Sequence, residues 1–184
     1  MTTVRPPDAI ARLRDLPAGL GAYSAALSII CLAAVGALGL ALKQPWVFPS
    51  LGPTVMVLAE TPTQPAAHPR NVLSGHVVGV AAGYLSLLVF GLTNNPPVTQ
   101  EGLTTTRVAA ALLSVALTAL VLQAIRTPHP PAGATTLIVS LGILKTPASL
   151  RALLLSVVVL TVLATLINRA LRVPQAGVTA DTSG

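Results

Sequence analysis

Residues 129–144, His129-Pro-Pro-Ala-Gly-Ala-Thr-Thr-Leu-Ile-Val-Ser-Leu-Gly-Ile-Leu144, are apolar enough for lipid yet too short and too broken to cross it as one helix. Pro130 and Pro131 deny the backbone a helical start before them. From Gly133 to Leu144 the run can be helical for about twelve residues, roughly 18 Å against a hydrocarbon core of about 30 Å. The stretch therefore reads as a half-helix. Its first N–H groups, at Gly133, Ala134 and Thr135, are expected to lack partners and to present partial positive charge near the middle of a bilayer, which favours an anion.

A second such element precedes it. Residues 47–59 are again opened by prolines, at Pro49 and Pro53, and again too short to span. One constant offset lays Pro49, Gly52 and Thr54 over Pro130, Gly133 and Thr135, and lays the long apolar runs 21–42 and 72–92 over 102–123 and 153–173. A shared long-short-long pattern points to duplication, with repeat 1 over about 21–92 and repeat 2 over about 102–172. The expected fold is an all-α membrane protein: four long transmembrane helices plus two short broken half-helix segments in a two-fold, inverted internal repeat. The inversion requires each short segment to cross; a re-entrant course is the alternative. The crossing course puts Arg5, Arg12, Arg14, Arg70, Arg126, Arg169 and Arg172 on the inner side and Lys43, Arg107, Lys145 and Arg151 outside, a slightly better charge bias than the re-entrant one.

Composition agrees: 53% hydrophobic and 9% charged residues make a polytopic membrane chain rather than a soluble core. With only 3% aromatic residues, its helices must pack through small and branched side chains. The net charge of +6 lies almost wholly outside the apolar runs, as orientation signal and headgroup contact. No basic stripe with stacking aromatics offers itself to nucleic acid. Cys31 stands alone in an apolar run, so neither a disulfide nor a thiolate metal site is expected. The run 21–42 exceeds the roughly 7–15 residues of a signal-peptide core and is expected to stay as a helix. Residues 1–20 read as a cytoplasmic surface segment, 21–172 as one membrane domain, and 173–184 as a disordered tail.

His129-Pro130-Pro131-Ala132-Gly133-Ala134-Thr135 resembles the signature of the HPP family of small integral membrane proteins, and Pro69-Arg70-Asn71 with Gly75-His76 resembles that family's second motif. The likeness runs from about Phe48 to Leu171. It implies a multi-span protein and a transporter, nitrite being the substrate assigned to plastid relatives. It also implies the bacterial cytoplasmic membrane, or the plastid envelope in a plant or alga.

His76 lies about one turn inside its helix, where an ionisable side chain needs a partner and is a functional candidate. Arg70 and Asn71 open that helix, near enough to a vestibule to attract an anion; a headgroup-level arginine is the plainer reading. The chain has five carboxylates, none inside a long helix, although a cation pathway would need them. No paired-acid motif, Cys/His spacing or nucleophile elbow suggests an enzyme, and no cofactor or metal is expected.

The expectation is a transporter or channel-like facilitator of a small inorganic anion, acting as a homo-oligomer because so few helices leave little protein to bury a central site. Its substrate-binding set is Ser50, Gly52, Thr54, Arg70, Asn71, His76, His129, Gly133, Thr135 and Thr136. Gly52 and Gly133 are expected to be glycine because backbone approaches substrate or a facing helix there. The rival is a non-transporting membrane scaffold whose broken segments merely pack.

Overall fold

The computed structural model describes residues 13–178. Among them lie seven α-helices: α1 (Pro17–Leu42), α2 (Leu51–Glu60), α3 (Pro69–Val89), α4 (Val98–Glu101), α5 (Thr105–Ala124), α6 (Ala132–Ser140) and α7 (Pro147–Ala170). A single 3-10 turn, Pro65–Ala67, precedes α3. Four helices, α1, α3, α5 and α7, are long and apolar enough to cross a membrane. The chain is an integral membrane protein.

Local chemistry fixes the starts. Proline opens α1, α3 and α7 in the first turn, where no intrahelical partner is lost. The hydroxyls of Thr104 and Thr146 accept from the N–H groups of Arg107 and Ser149, each at 3.2 Å, and so cap α5 and α7. Past α1, Lys43 adopts a left-handed conformation and Gln44 N–H returns to the Gly39 carbonyl at 2.9 Å, turning the chain sharply back. A Cβ on Gly39 would sit 2.9 Å from the Gln44 carbonyl oxygen, so the small face of α1 admits the returning segment.

Helix α3 packs against α5, α6 and α7, while α1 packs against α2 and α7. Outward-facing Ile29, Leu40, Leu112, Leu120, Leu155 and Leu166 are exposed, as lipid-facing side chains are.

The course of the short segments follows from three contacts. Ser24, in the second turn of α1, donates to Glu60 Oε1 at the end of α2, at 2.8 Å. Tyr23 donates to Asn168 near the end of α7, and Asn168 in turn donates to the Leu58 carbonyl at 3.0 Å. The ends of α2 and α7 thus lie beside the start of α1, whereas Lys43 lies roughly 28 Å further along α1 at about 1.5 Å per residue. Residues 43–60 carry the chain back through the depth of the bundle. In the other half, Arg107 near the start of α5 reaches the Ser140 carbonyl at the end of α6, at 3.5 Å, so residues 125–140 do likewise.

Several expectations change here. Helix α1 begins at Pro17, inside the segment assigned to the cytoplasmic surface, and Arg14 donates to the Ala59 carbonyl at 2.7 Å while lying 4.9 Å from the centre of the Tyr23 ring. Arg5 and Arg12 lie outside the described residues. The tail is not disordered up to residue 178: Gln175 is buried and donates to the Ala67 carbonyl and Thr165, and Ala176 N–H donates to the Pro62 carbonyl. These bonds close the loop 61–68, which a polar composition alone does not reveal. Residues 179–184 lie outside the described residues. Helix α6 stops at Ser140, short of Leu144, because Gly142 has a positive φ of 76° and the Arg107 guanidinium fills the space a side chain there would take.

Candidate functional site

The inner ends of α2 and α6 meet at one imidazole. Thr54, in the first turn of α2, lies 3.0 Å from His76 Nε2, and Thr135, in the first turn of α6, lies 2.7 Å from His76 Nδ1. His129, from the lead into α6, closes the cluster with its Nε2 at 3.3 Å from His76 Nε2 and 3.4 Å from Thr54 Oγ1. All four side chains are essentially inaccessible to solvent.

Hydrogen-bond roles follow from one fixed acceptor. His129 Nδ1 lies 2.9 Å from the Ala66 carbonyl, which can only accept, so Nδ1 carries the proton and Nε2 of the neutral ring offers a lone pair. His76 Nε2–H then donates toward His129 Nε2 and Thr54 Oγ1, and His76 Nδ1 accepts from the Thr135 hydroxyl. The Thr54 hydroxyl donates to the Ser50 carbonyl at 2.8 Å. This assignment satisfies every polar atom of the four side chains, as burial demands.

Glycines on α3 make the approach possible. A Cβ on Gly75 would lie 2.7 Å from His129 Cβ, one on Gly79 would lie 2.8 Å from the Ala132 carbonyl oxygen, and one on Gly83 would lie 2.8 Å from both the Thr136 carbonyl oxygen and Val139 Cβ. At successive turns, α3 presents no side chain and α6 lies directly on its backbone.

The other expected residues divide. Ser50 is buried just before α2, its hydroxyl without a hydrogen-bond partner. Thr136 turns away toward α5, 3.4 Å from the Ser114 carbonyl, where Ser114 also donates to Ser140 at 3.0 Å. Arg70 is exposed, its N–H bonded to the His68 ring, and Asn71 donates to the Pro65 carbonyl at 2.8 Å; both shape the start of α3 and neither joins the cluster. A Cβ at Gly52 or Gly133 would meet nothing within 4 Å, so no facing helix requires these glycines. Gly133 instead borders, with His129, Thr118 and Gln123, a mainly apolar cavity of about 260 Å³ on the α5 side.

The free donors expected at the start of α6 are also largely spent. The N–H groups of Ala132, Gly133 and Ala134 return to the carbonyls of His129, Pro130 and Pro131 at 3.0, 2.9 and 3.1 Å, because the proline turn leads into the helix as a 3-10 coil. Polar contact at this junction therefore rests chiefly on side chains.

At their outer ends the short helices share a second device. Arg14 holds the Ala59 carbonyl and Arg107 the Ser140 carbonyl, so each C-terminus, with its partial negative charge, has a guanidinium. Arg107 is fully buried and also bonds the Pro96 and Asn95 carbonyls at 2.5 and 3.4 Å, while Lys145 bonds those of Thr93 and Asn95 at 2.9 and 2.6 Å. Among the described residues no cluster of three or more His, Cys, Asp or Glu side chains is placed to hold a metal.

A family model described as the HPP transmembrane region matches residues 14–175. The chain belongs to the HPP family. Neither a curated protein nor a solved structure matches it. The HPP match takes in both short helices, the whole histidine–threonine cluster and the two guanidinium anchors. It opens at Arg14, which holds the end of α2, and closes at Gln175, which ties the loop before α3.

Proposed function

We propose that this HPP protein is a transporter or channel-like facilitator of a small monovalent anion, nitrite being the specific substrate, and that its halves are an inverted duplication. The observation that carries the reading is the junction at His76. Two short helices point their N-terminal turns at one buried ring, so both dipoles favour negative charge there. The Ser50 hydroxyl, buried without a partner, is free to donate to the ion, and the hydroxyls of Thr54 and Thr135 and the rings of His76 and His129 would exchange bonds they now make within the protein for bonds that replace the ion's water. Glu60, the acid nearest in sequence to this junction, is bonded to Ser24 at the opposite end of α2. Among the described residues no carboxylate joins this cluster to replace a cation's hydration.

The duplication is supported by matched roles. Helices α1 and α2 pack as α5 and α6 do, α2 packs on α7 as α6 packs on α3, and the carbonyls of Ala59 and Ser140 each receive an arginine. Irregular backbone inside a membrane is tolerated where it is buried in protein or lines a cavity, and in transporters built from such repeats the broken helices bind substrate. Exposed apolar faces and the small helix number favour a homo-oligomer in a bacterial cytoplasmic membrane, or in a plastid envelope for a plant or algal protein.

Purified protein in liposomes is tested for flux of nitrite, nitrate, chloride, formate and a neutral solute. Protein-dependent flux restricted to small anions, with nitrite fastest, is the expected result. No flux of any anion leaves the scaffold reading in its place.

A further inference from the structure

The His76–His129 pair can take up one proton, yet among the described residues no carboxylate is bonded to either ring to balance the charge. In the neutral arrangement two lone pairs remain, at His76 Nδ1 facing Thr135 and at His129 Nε2 facing His76. A proton arriving from water at His76 Nδ1 forms one N–H bond there, while the proton on His76 Nε2 shifts across the 3.3 Å gap onto His129 Nε2. The Thr135 hydroxyl turns to accept. One N–H bond is gained in total, the pair carries a single positive charge, and release reverses the step.

That charge would be buried among neutral groups. From α2 the cluster is faced by Thr54, with Glu60 at the far end bonded to Ser24. On α3 the nearest charged side chain is exposed Arg70, whose N–H is held by His68 in the preceding loop. Helix α5 brings Arg107, occupied by carbonyls at its outer end, and α6 faces the rings with the neutral Thr135. On α7, Arg151 and Arg169 are exposed. An isolated imidazolium in such surroundings is strongly disfavoured, and so is an isolated anion in the half-open, mainly apolar pocket beside His129 and Gly133. Each removes the other's penalty.

We infer that the site loads its anion and a proton together, so that transport is electroneutral anion–proton symport with the His76–His129 pair as the proton site. The inference rests on the anion reading above and adds the coupling ion and the stoichiometry. Binding of either partner raises affinity for the other by the same factor, as linkage requires.

Nitrite uptake is measured in proteoliposomes at alkaline pH, after subtracting protein-free vesicles, with internal pH followed by a trapped dye. The expected result is one proton entering per nitrite, acceleration when the outside is made acid, and no response to a potassium-diffusion potential set with valinomycin. Uptake that follows the potential and moves no protons overturns the symport while leaving anion transport standing; no uptake overturns both. His129→Gln, checked for membrane insertion and a monodisperse detergent peak, should slow proton-linked uptake about tenfold or more by removing the acceptor nitrogen. Unchanged proton entry in a well-folded His129→Gln protein also overturns the assignment, and should that variant misfold, the wild-type measurements still decide.

Discussion

Thr54 and Thr135, from the first turns of two separate short helices, bond to opposite ring nitrogens of His76, at 3.0 and 2.7 Å. The relationship places the candidate site at a junction between the N- and C-terminal halves of the chain rather than within one of them.

The Thr135 side chain is the first test. An aspartate there sets a fixed carboxylate against His76, giving the ring an internal counter-ion and filling the place of a transported one. Thr135→Asp should insert normally but lose nitrite flux at least about tenfold, since two helix ends contribute up to about 2 kcal/mol each. Thr135→Ser, which keeps the hydroxyl, should retain it. Equal flux in wild type and Thr135→Asp, measured in liposomes, would remove the anion site from this junction.

Glycines of α3 and glycines of the short helices should behave oppositely. Gly79→Ala puts a Cβ 2.8 Å from the Ala132 carbonyl oxygen and should lower stability by about 1–3 kcal/mol, read as a reduced melting temperature in detergent. Gly133→Ala meets open space and should melt like wild type. Gly133→Leu projects into the cavity beside His129 and should abolish flux without destabilising the fold. Preserved flux in Gly133→Leu would show that this cavity is off the route.

Arg107 ties the C-terminal end of α6, through the Ser140 carbonyl, to the loop carbonyls of Asn95 and Pro96. Arg107→Gln should cost about 3 kcal/mol, because hydrogen bonds to charged groups are worth about 1.5–3 kcal/mol and their buried acceptors are left without donors. Gly142→Ala attacks the same contact, as its Cβ would lie 2.9 Å from the guanidinium at a residue already at positive φ. Thermal unfolding of both variants should show comparable losses; a wild-type melting curve for Arg107→Gln would mean that the anchor is dispensable.

Topology gives the fourth prediction. In a Cys31→Ala background, single cysteines at Lys43 and Gln64, both exposed, should react with an impermeant maleimide from opposite faces of the membrane. Reaction from one face would make the first short segment re-entrant and end the inverted-repeat reading.

Much of this architecture is legible in the residues. Length and hydropathy separate four spanning helices from two half-helices, and the need of a buried His76 for partners is a sound guide to the cluster. What stays hidden has physical causes. Arg14 and Arg107 look like boundary charges because their bonds go to backbone carbonyls, which have no sequence signature. Gln175 lies in a polar tail whose composition resembles disorder, yet its amide meets buried acceptors. The spacing Gly75, Gly79, Gly83 carries the small-residue signal of close helix contact, while Gly52 and Gly133 drew the same expectation from their place beside prolines, where open space is found instead.

The shared ring also acts as a mechanical bearing. Helix α2 is tethered at its C-terminal end by Arg14, α6 at its own by Arg107, and both meet His76 in their first turns. If α2 tilts about its tether while α6 stays still, a buried hydrogen bond opens at a cost of about 1–3 kcal/mol; if the two tilt in concert, it survives. Independent wobble is thereby penalised, and the low-energy rocking motion is the one that moves both short helices at once.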